Sequence, residues 1–286
     1  MIDWTAILTE LIRRASCDLP ADVEERIRQC RASETEGSPA AIICSTILEN
    51  SALARAADTP ICQDTGTLSL YFDLPFHTTL SPLSLQSAAN EAVRSATANG
   101  WLRRNTIESI SGTSIDDNIA PGSPDCHFDF SDRSDAQVTL LMKGGGCENM
   151  SSQYSLPDRE LKAGRDLNGV RKCLLHAIWQ VQGQGCAPGI LGVCIGADRA
   201  NGYAQAKRQL LRPLTDSSPD LRLAELEDQI LAESATLGIG PMGMGGKTTL
   251  LGVKITAAPR LPASYFVTIA YMCWACRRHT ITVPLA

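Results

Sequence analysis

Apolar side chains recur at helical spacing in several parts of the chain. Residues 4–12 follow this pattern directly after Asp3, a residue that can cap a helix. Ser38 and Pro39 give a second start signal, because proline is favoured at the first helical position, and this helix is predicted to end near Ala57. The same spacing predicts further helices over 82–99, 165–182, 198–212 and 219–236.

Other segments are typical of β-strands. Residues 67–74, TLSLYFDL, alternate between apolar and polar side chains, which predicts a strand with one buried face. Further strands are predicted over 136–143, 190–196, 248–255 and 264–272. Residues 112–135 are polar and rich in Gly, Pro and Asp, and they are predicted to be a loop. With no repeat and no linker, the pattern predicts one domain over 1–286, of class α/β or α+β, with a mixed β-sheet flanked by helices.

Composition excludes several classes of protein. An apolar fraction of 44% with 20% charged residues is ordinary for a soluble globular chain. The net charge of −5 and the absence of long Lys/Arg runs argue against a nucleic-acid partner. No apolar run approaches the roughly 18 residues of a membrane span, so no membrane partner is expected. The N-terminus lacks the basic segment of a secretory signal, and a cytoplasmic location is therefore predicted.

The chain has eleven cysteines, an odd number in a long sequence, which argues against a disulfide framework. A reducing compartment with free thiols fits this count better. Three cysteines lie among apolar neighbours and are predicted to be small buried hydrophobic residues: Cys44, Cys173 and Cys194. Three others have no chemical context that indicates a function: Cys17, Cys30 and Cys126.

Three cysteines differ from the rest because each lies where a regular element meets an irregular turn. They are Cys62 in PICQDTG, Cys186 in GQGCAPG and Cys273 in YMCWAC. Three thiolates cannot complete the ligand set of a cubane iron–sulfur cluster, which takes four, so such a set leaves one iron open. An open iron is a Lewis acid able to hold a hydroxyl and a carboxylate. The spacing alone leaves a second interpretation equally open, namely three unrelated core thiols.

Two local motifs do not support a function by themselves. The glycine-rich stretch 238–247 lacks Walker spacing, because Pro241 stands where a phosphate-binding loop requires glycine. The CWAC stretch at 273–276 follows a late strand, whereas a thioredoxin-like redox pair sits at an early strand-to-helix turn. A four-cysteine zinc site would need a second close pair, which the sequence lacks.

Five segments, in this order, resemble the iron–sulfur hydro-lyases of the class I fumarase and L(+)-tartrate dehydratase family. They are PICQDTG, KGGGCENMS, GCAPGILGVCIGADR, LGIGPMGMGGKTTLLGVKI and LPASYFVTIAYMCWACRR. The resemblance is to the N-terminal domain, or separate alpha subunit, of that family and covers about residues 1–280. It implies a [4Fe-4S] cluster with three cysteine ligands, Cys62, Cys186 and Cys273, and one open iron.

The resemblance also implies a set of residues that contact the substrate. They are Gln63, Asp64, Arg103, Gly145 and Gly146. Of these, Gln63 and Asp64 are the implied catalytic residues. Arg103 in WLRRN would bind a substrate carboxylate, with Arg104 as the alternative if the register shifts by one residue.

The implied activity is the reversible hydration of fumarate to (S)-malate, with a C4 dicarboxylate as substrate. Asn105 and Cys147 lean toward tartrate dehydratases, whereas ENMS and GPMGMGGKTTLLGVKI look like fumarases. L(+)-tartrate dehydration and a mesaconate-type hydration therefore remain alternatives, as does a non-catalytic iron–sulfur redox sensor. The roles of Cys147 and Cys276 stay open. The resemblance further implies a beta subunit or C-terminal domain that supplies the catalytic base, and a dimer of alpha/beta units.

Overall fold

A computed structural model of the chain describes residues 2–285 and has the predicted class, mixed β-sheets flanked by helices. The α-helices are α1 (Trp4–Cys17), α2 (Ala21–Ser33), α3 (Pro39–Ala57), α4 (Pro82–Ala98), α5 (Gly145–Asn149), α6 (Leu167–Val181), α7 (Arg199–Gln209) and α8 (Leu221–Ala235). The strands are β1 (Thr67–Pro75), β2 (Thr106–Ile107), β3 (Ser114–Ile115), β4 (Asp125–Ser131), β5 (Asp135–Lys143), β6 (Ser152–Ser155), β7 (Gly189–Gly196), β8 (Leu250–Ala258), β9 (Phe266–Met272) and β10 (Arg277–Pro284). Across residues 2–285, no helix has both the length and the apolar character needed to cross a membrane.

The helix starts predicted from capping residues are confirmed. The Asp3 carboxylate accepts a hydrogen bond from the amide of Ala6 at 3.0 Å, which satisfies one free N–H of the first turn of α1. The Ser38 hydroxyl accepts from the amide of Ala41 at 3.2 Å at the start of α3, and that helix ends at Ala57 as predicted.

The prediction that residues 112–135 form a loop is wrong, because β4 lies within this range and pairs in parallel with β1. The strand is at the edge of its sheet, and most of its residues are half-buried, so its polar composition is compatible with pairing. Its inward side is fixed by Phe128, whose ring stacks on Phe72 with centroids 5.0 Å apart. Several further elements were not predicted: α2, α5, β2, β3, β6 and β10.

The chain divides into two compact units, and the first contains the described residues up to Pro20, Glu49–Gly145 and those from Ala275 onward. Its sheet has the strand order β10-β5-β1-β4, with β1 antiparallel to β5 and parallel to β4. Helices α1 and α4 pack together, and their apolar faces share one buried cluster with β1 and β5. This unit holds the segments PICQDTG and WLRRN and the start of KGGG.

The second unit contains Ala21–Leu48 and Gly146–Trp274. Its sheet has the order β6-β9-β7-β8, with β7 antiparallel to β9 and parallel to β8. Strand β7 is buried along its whole length, and α7 packs so closely on it that a Cβ on Gly192 would lie 2.2 Å from the Ala206 carbonyl oxygen. The assignment of 1–286 to a single domain stays a prediction.

Candidate active site

The Asp64 carboxylate joins three of the segments that the sequence singles out. Its Oδ1 accepts hydrogen bonds from the amide of Gly66 at 2.9 Å and from Nδ2 of Asn105 at 3.0 Å. Its Oδ2 accepts from the amide of Gly145 at 2.8 Å. PICQDTG, WLRRN and KGGG therefore meet at one carboxylate within the first unit. The Asp64 amide also points at the sulfur of Cys62, at 3.5 Å.

Two glycines allow this close approach of backbone to carboxylate. A Cβ on Gly66 would lie 2.5 Å from the carbonyl of Lys143, and Gly66 also has a φ of +73°, which favours glycine. A Cβ on Gly144 would lie 2.7 Å from Oδ2 of Asp64. Gly146 faces open space, so no close contact of the described residues requires glycine there.

Replacing Gly66 with alanine tests whether this packing is needed. Gly112 is the matched control, because its φ of +71° is nearly the same but nothing lies within 4 Å of its added Cβ. We expect Gly112→Ala to lower the free energy of unfolding by about 1 kcal/mol through backbone conformation alone. Gly66→Ala should cost about 3 kcal/mol or more, because backbone must move as well. Urea unfolding of both variants measures the difference, and equal losses would contradict the packing.

Gln63 and Arg103 are exposed next to this carboxylate network. The Thr65 hydroxyl donates to the Arg103 carbonyl and accepts from the Arg103 amide, both at 2.9 Å, and so holds Arg103 beside the Cys62 loop. Within residues 2–285, no protein group pairs with the Arg103 guanidinium. Arg104, in contrast, lies 3.5 Å from Asp116 in an exposed ion pair. Of the two arginines, Arg103 is thus the one free to bind an anion.

The loop that carries Cys186 is fixed by backbone contacts in the second unit. The Cys186 amide donates to the carbonyl of Gly183 at 3.2 Å, and the Cys186 carbonyl accepts from the amide of Trp274 at 3.4 Å. Cys186 has a φ of +52°, a conformation that residues other than glycine rarely adopt. A Cβ on Gly185 would lie 2.3 Å from the ring of Tyr271, so this loop packs directly on that ring. These contacts bring the segments of Cys186 and Cys273 together.

A second thiol orients the backbone at Cys273. The Cys273 amide donates to the sulfur of Cys147 at 3.3 Å, and the Ser151 hydroxyl donates to the Cys147 carbonyl at 3.0 Å. Burial raises the pKa of Tyr271 well above its ordinary value, and the neighbouring thiols of Cys273, Cys147 and Cys186 raise it further. Three sulfur groups of the second unit thus lie near one buried tyrosine. Sequence reasoning had left the role of Cys147 open.

The three predicted ligands are more accessible than most of the other cysteines. Seven of the eleven cysteines are buried, including Cys44, Cys173 and Cys194 as predicted. Cys186 is exposed, and Cys62 and Cys273 are half-buried. All three predicted ligands lie in irregular segments, as the sequence predicts. The remaining accessible thiol, Cys126, lies in β4, where burial raises its pKa to about 12.

Thiolates are the usual ligands of iron–sulfur clusters, so the chemistry of these donors fits that cofactor. Cys62 belongs to the first unit, and Cys186 and Cys273 belong to the second. Among residues 2–285, no group of three or more His, Cys, Asp or Glu side chains is already arranged to hold a metal ion.

Arg277 is a feature that sequence reasoning missed. Its side chain is only 2% exposed, and its Nε and Nη1 atoms have no hydrogen-bond partner among the described residues. Buried guanidinium nitrogens without an acceptor are rare, and a polar or anionic group next to Nε and Nη1 would satisfy them. Arg277 follows Cys273 by four positions, with the buried Cys276 between them.

Comparisons with known proteins agree with these motifs. A family model described as fumarate hydratase (Fumerase) matches residues 5–282. A Geobacillus stearothermophilus protein named "Putative fumarate hydratase class I" is 44% identical over 273 residues, which are 94% of this chain and 52% of that protein. The L(+)-tartrate dehydratase subunit alpha of Escherichia coli K12 is 31% identical over 282 residues, 98% of this chain and 90% of the subunit. A Methanocaldococcus jannaschii protein named "Putative L(+)-tartrate dehydratase subunit alpha" is 30% identical over 275 residues, 95% of this chain and 94% of that protein. The chain therefore spans about half the length of the Geobacillus relative.

Proposed function

The chain belongs to the fumarate hydratase (Fumerase) family, and from this premise we propose that it is the cluster-binding part of a hydro-lyase acting on a C4 dicarboxylate. The preferred reaction is the reversible hydration of fumarate to (S)-malate, because the relative named as a class I fumarate hydratase is 44% identical. The observation that carries the proposal is the meeting of three motif segments at the Asp64 carboxylate, next to Cys62 and Arg103.

Cys62, Cys186 and Cys273 would hold a [4Fe-4S] cluster, the cofactor on which class I fumarate hydratases generally depend. When bound, such a cluster supplies a Lewis acid at the one iron that no cysteine ligates. The accessible positions of these thiols support this assignment, as do the two buried Arg277 nitrogens that have no hydrogen-bond partner among the described residues. The Asp64 amide at Cys62 and the Cys147 sulfur at the Cys273 amide would keep the ligand-bearing backbone in place.

The substrate would be bound by exposed groups beside the Cys62 loop. The Arg103 guanidinium can donate two parallel hydrogen bonds to one carboxylate of the acid. The Gln63 side-chain amide is exposed and can donate to the same anion. An ionised carboxylate has about four acceptor sites, so Asp64, with three sites occupied by protein donors, keeps one for a substrate hydroxyl. Holding the hydroxyl and the carboxylate in fixed relative positions lowers the barrier to elimination.

A partner that supplies the catalytic base completes the proposal. Two of the relatives are named as alpha subunits, and the Geobacillus relative is about twice as long as this chain. We expect a beta-type subunit or a further domain, assembled as a dimer of alpha/beta units. Among the described residues none of the eleven cysteines forms a disulfide, which fits a reducing cytoplasm.

A second candidate function is the dehydration of L(+)-tartrate. Asn105 supports it, because its side chain lies in the substrate region and donates to Asp64, and Asn105 and Cys147 lean toward the tartrate dehydratase pattern. The relatives named as tartrate dehydratase alpha subunits, at 30 and 31% identity, also support it.

Activity measured with and without a beta-type partner tests the function. The chain is reconstituted anaerobically with iron and sulfide, alone or coexpressed with a candidate beta subunit, and assayed on fumarate, malate, tartrate and mesaconate. We expect the lone chain to bind the cluster yet hydrate fumarate only weakly, and the pair to be fully active. Full activity of the lone chain would contradict the two-component proposal. A cluster-loaded pair that acts on none of the four acids would favour the redox-sensor alternative.

Arg103→Lys tests the proposed carboxylate site. Lysine keeps the charge but loses the planar fork, so kcat/KM for malate should fall about 10- to 100-fold, or about 1.4–2.8 kcal/mol, with the cluster intact. Arg104→Lys is the matched control and should change kcat/KM by less than about threefold, because its exposed ion pair contributes little. The opposite ranking of the two variants would show that Arg104 is the substrate-binding residue.

A further inference from the structure

Two thiols outside the proposed ligand set lie close together in the second unit. The sulfur of Cys30, near the end of α2, is 2.8 Å from the sulfur of Cys44, in the first half of α3. Both side chains are buried, at 2% and 0% exposure, and both are free thiols. A disulfide bond is about 2.05 Å long, so the two sulfur atoms need to approach by only about 0.8 Å to bond.

We propose that Cys30 and Cys44 form a reversible thiol–disulfide site that is oxidised by a hydroperoxide. Disulfides are rare in reducing compartments, and the transient ones found there are mostly catalytic or redox-sensing. The two thiols would therefore be reduced under ordinary conditions and would form a disulfide when peroxide is present.

The surroundings of the pair assign different roles to its two thiols. Cys30 lines a surface cleft together with Ser33, Lys247 and Thr248, which gives a small oxidant a path to its sulfur. The hydrogen bond between the two sulfur atoms lowers the pKa of Cys30, and a contact with Thr248 lowers it further, although burial opposes both. The pKa of Cys44 is raised by its bond to Cys30 and by burial. Because Cys30 lines the cleft and Cys44 does not, Cys30 is the attacking thiol and Cys44 the resolving thiol.

The reaction balances with one peroxide per pair. The Cys30 thiol loses its proton, and the thiolate attacks one oxygen of hydrogen peroxide. The O–O bond breaks, Cys30 becomes a sulfenic acid, and the leaving hydroxide takes up a proton to give one water. The Cys44 thiol then attacks the Cys30 sulfur, the S–O bond breaks, and the S–S bond forms with release of a second water. Two thiols are oxidised and one peroxide is reduced to two waters.

The pair lies beside the glycine-rich loop 238–247. Directly after α2, the Glu34 carboxylate accepts hydrogen bonds from the amides of Lys247 at 2.8 Å and Thr248 at 2.9 Å. On the other side of the loop, the amide of Met242 donates to the carbonyl of Ala187 at 2.8 Å. Ala187 follows Cys186, so the loop 238–247 contacts both the segment just after Cys30 and the segment of a cysteine that the proposed function assigns to the cluster.

Peptide mapping of the full-length chain tests the site directly. The reduced chain is treated with hydrogen peroxide, the remaining thiols are alkylated, and the protein is digested with trypsin. Cys30 falls in the peptide 29–31 and Cys44 in 32–55, each with a single cysteine, so a disulfide links two otherwise separate peptides. We expect mass spectrometry to find this linked pair after oxidation and to lose it after dithiothreitol. Cys194, buried in β7 with its pKa raised to about 11, is the internal control and should stay reduced.

Single variants separate the two roles. Cys44→Ser should leave a sulfenic acid on Cys30 that dimedone traps, whereas Cys30→Ser should leave Cys44 unmodified. If either serine variant does not fold, the wild-type peptide map alone decides, since it needs no substitution. Cys30 and Cys44 that both stay alkylatable at peroxide concentrations that oxidise other cysteines, or that link to different cysteines, would overturn the proposal. The map needs no cluster and no substrate, so its failure would leave the proposed function untouched.

Discussion

Replacing Cys62, Cys186 or Cys273 with alanine is expected to abolish cluster binding and hydro-lyase activity together. Each change removes a thiolate from a set that already leaves one iron without a cysteine ligand, and no neighbouring group of equal softness replaces it. Iron and acid-labile sulfide should fall from about four of each per chain to near zero. The visible absorption of the reconstituted cluster and the rate of fumarate hydration should be lost in parallel.

Two further cysteines serve as matched controls for this experiment. Cys147→Ser should keep the cluster, because a hydroxyl can also accept the hydrogen bond from the Cys273 amide. Cys276→Ala should keep it as well, because Cys276 is only 1% exposed and is not among the proposed ligands. A full cluster in Cys273→Ala together with an empty Cys276→Ala would show that the other cysteine of CWAC is the ligand.

Asp64→Asn is expected to lower activity by about 100-fold or more while costing only about 1 kcal/mol of stability. Asparagine has one acceptor oxygen, so it cannot accept from Gly66, Asn105 and Gly145 in the way that the two carboxylate oxygens do. These donors are partly or fully exposed, and water can replace the lost bonds in the folded state. The loss of the negative charge and of these bonds, however, acts directly on the proposed substrate site.

Steady-state kinetics of the reconstituted enzyme and urea unfolding of the same variant separate these two effects. Asp117→Asn is the control in the same unit, because the Asp117 carboxylate also accepts from a backbone amide, that of Ile119 at 3.2 Å, and from Arg94. It should leave activity unchanged. An Asp64→Asn enzyme with nearly full activity would remove Asp64 from the site.

Elements whose signals are local were predictable from the sequence. Asp3 and the Ser38–Pro39 pair mark helix starts through contacts within one turn, so no knowledge of the tertiary structure was needed. The alternation in 67–74 likewise marks β1. Alternation predicts one buried face, but Ser69 and Tyr71, on the opposite face, are buried as well.

Elements that depend on distant partners were missed. Strand β4 is polar, and only its pairing with β1 and the stacking of Phe128 on Phe72 make it a strand. Its sequence by itself is typical of a loop. Helix α2 has few apolar positions, so its helical pattern is weak, and its buried side follows from the packing of the second unit.

The same distinction holds for the candidate site. Sequence motifs indicated Cys62, Asp64 and Arg103, but the bonds that join Asp64 to Asn105 and Gly145 span 41 and 81 positions and could not be inferred from spacing. Cys30 had no chemical context in the sequence, because its partner Cys44 lies on another helix. Contacts of this kind are set by the tertiary structure and are visible only there.

Mössbauer spectroscopy of the wild-type chain, reconstituted with isotopically enriched iron, tests the central claim most directly. One spectrum reports both how much iron the chain binds and whether one iron differs from the others in its ligands. The proposed three-cysteine site predicts a four-iron cluster in which one iron is distinct, and only the signal of that iron should change when malate is added. No bound cluster, or four equivalent irons that malate leaves unchanged, would contradict it.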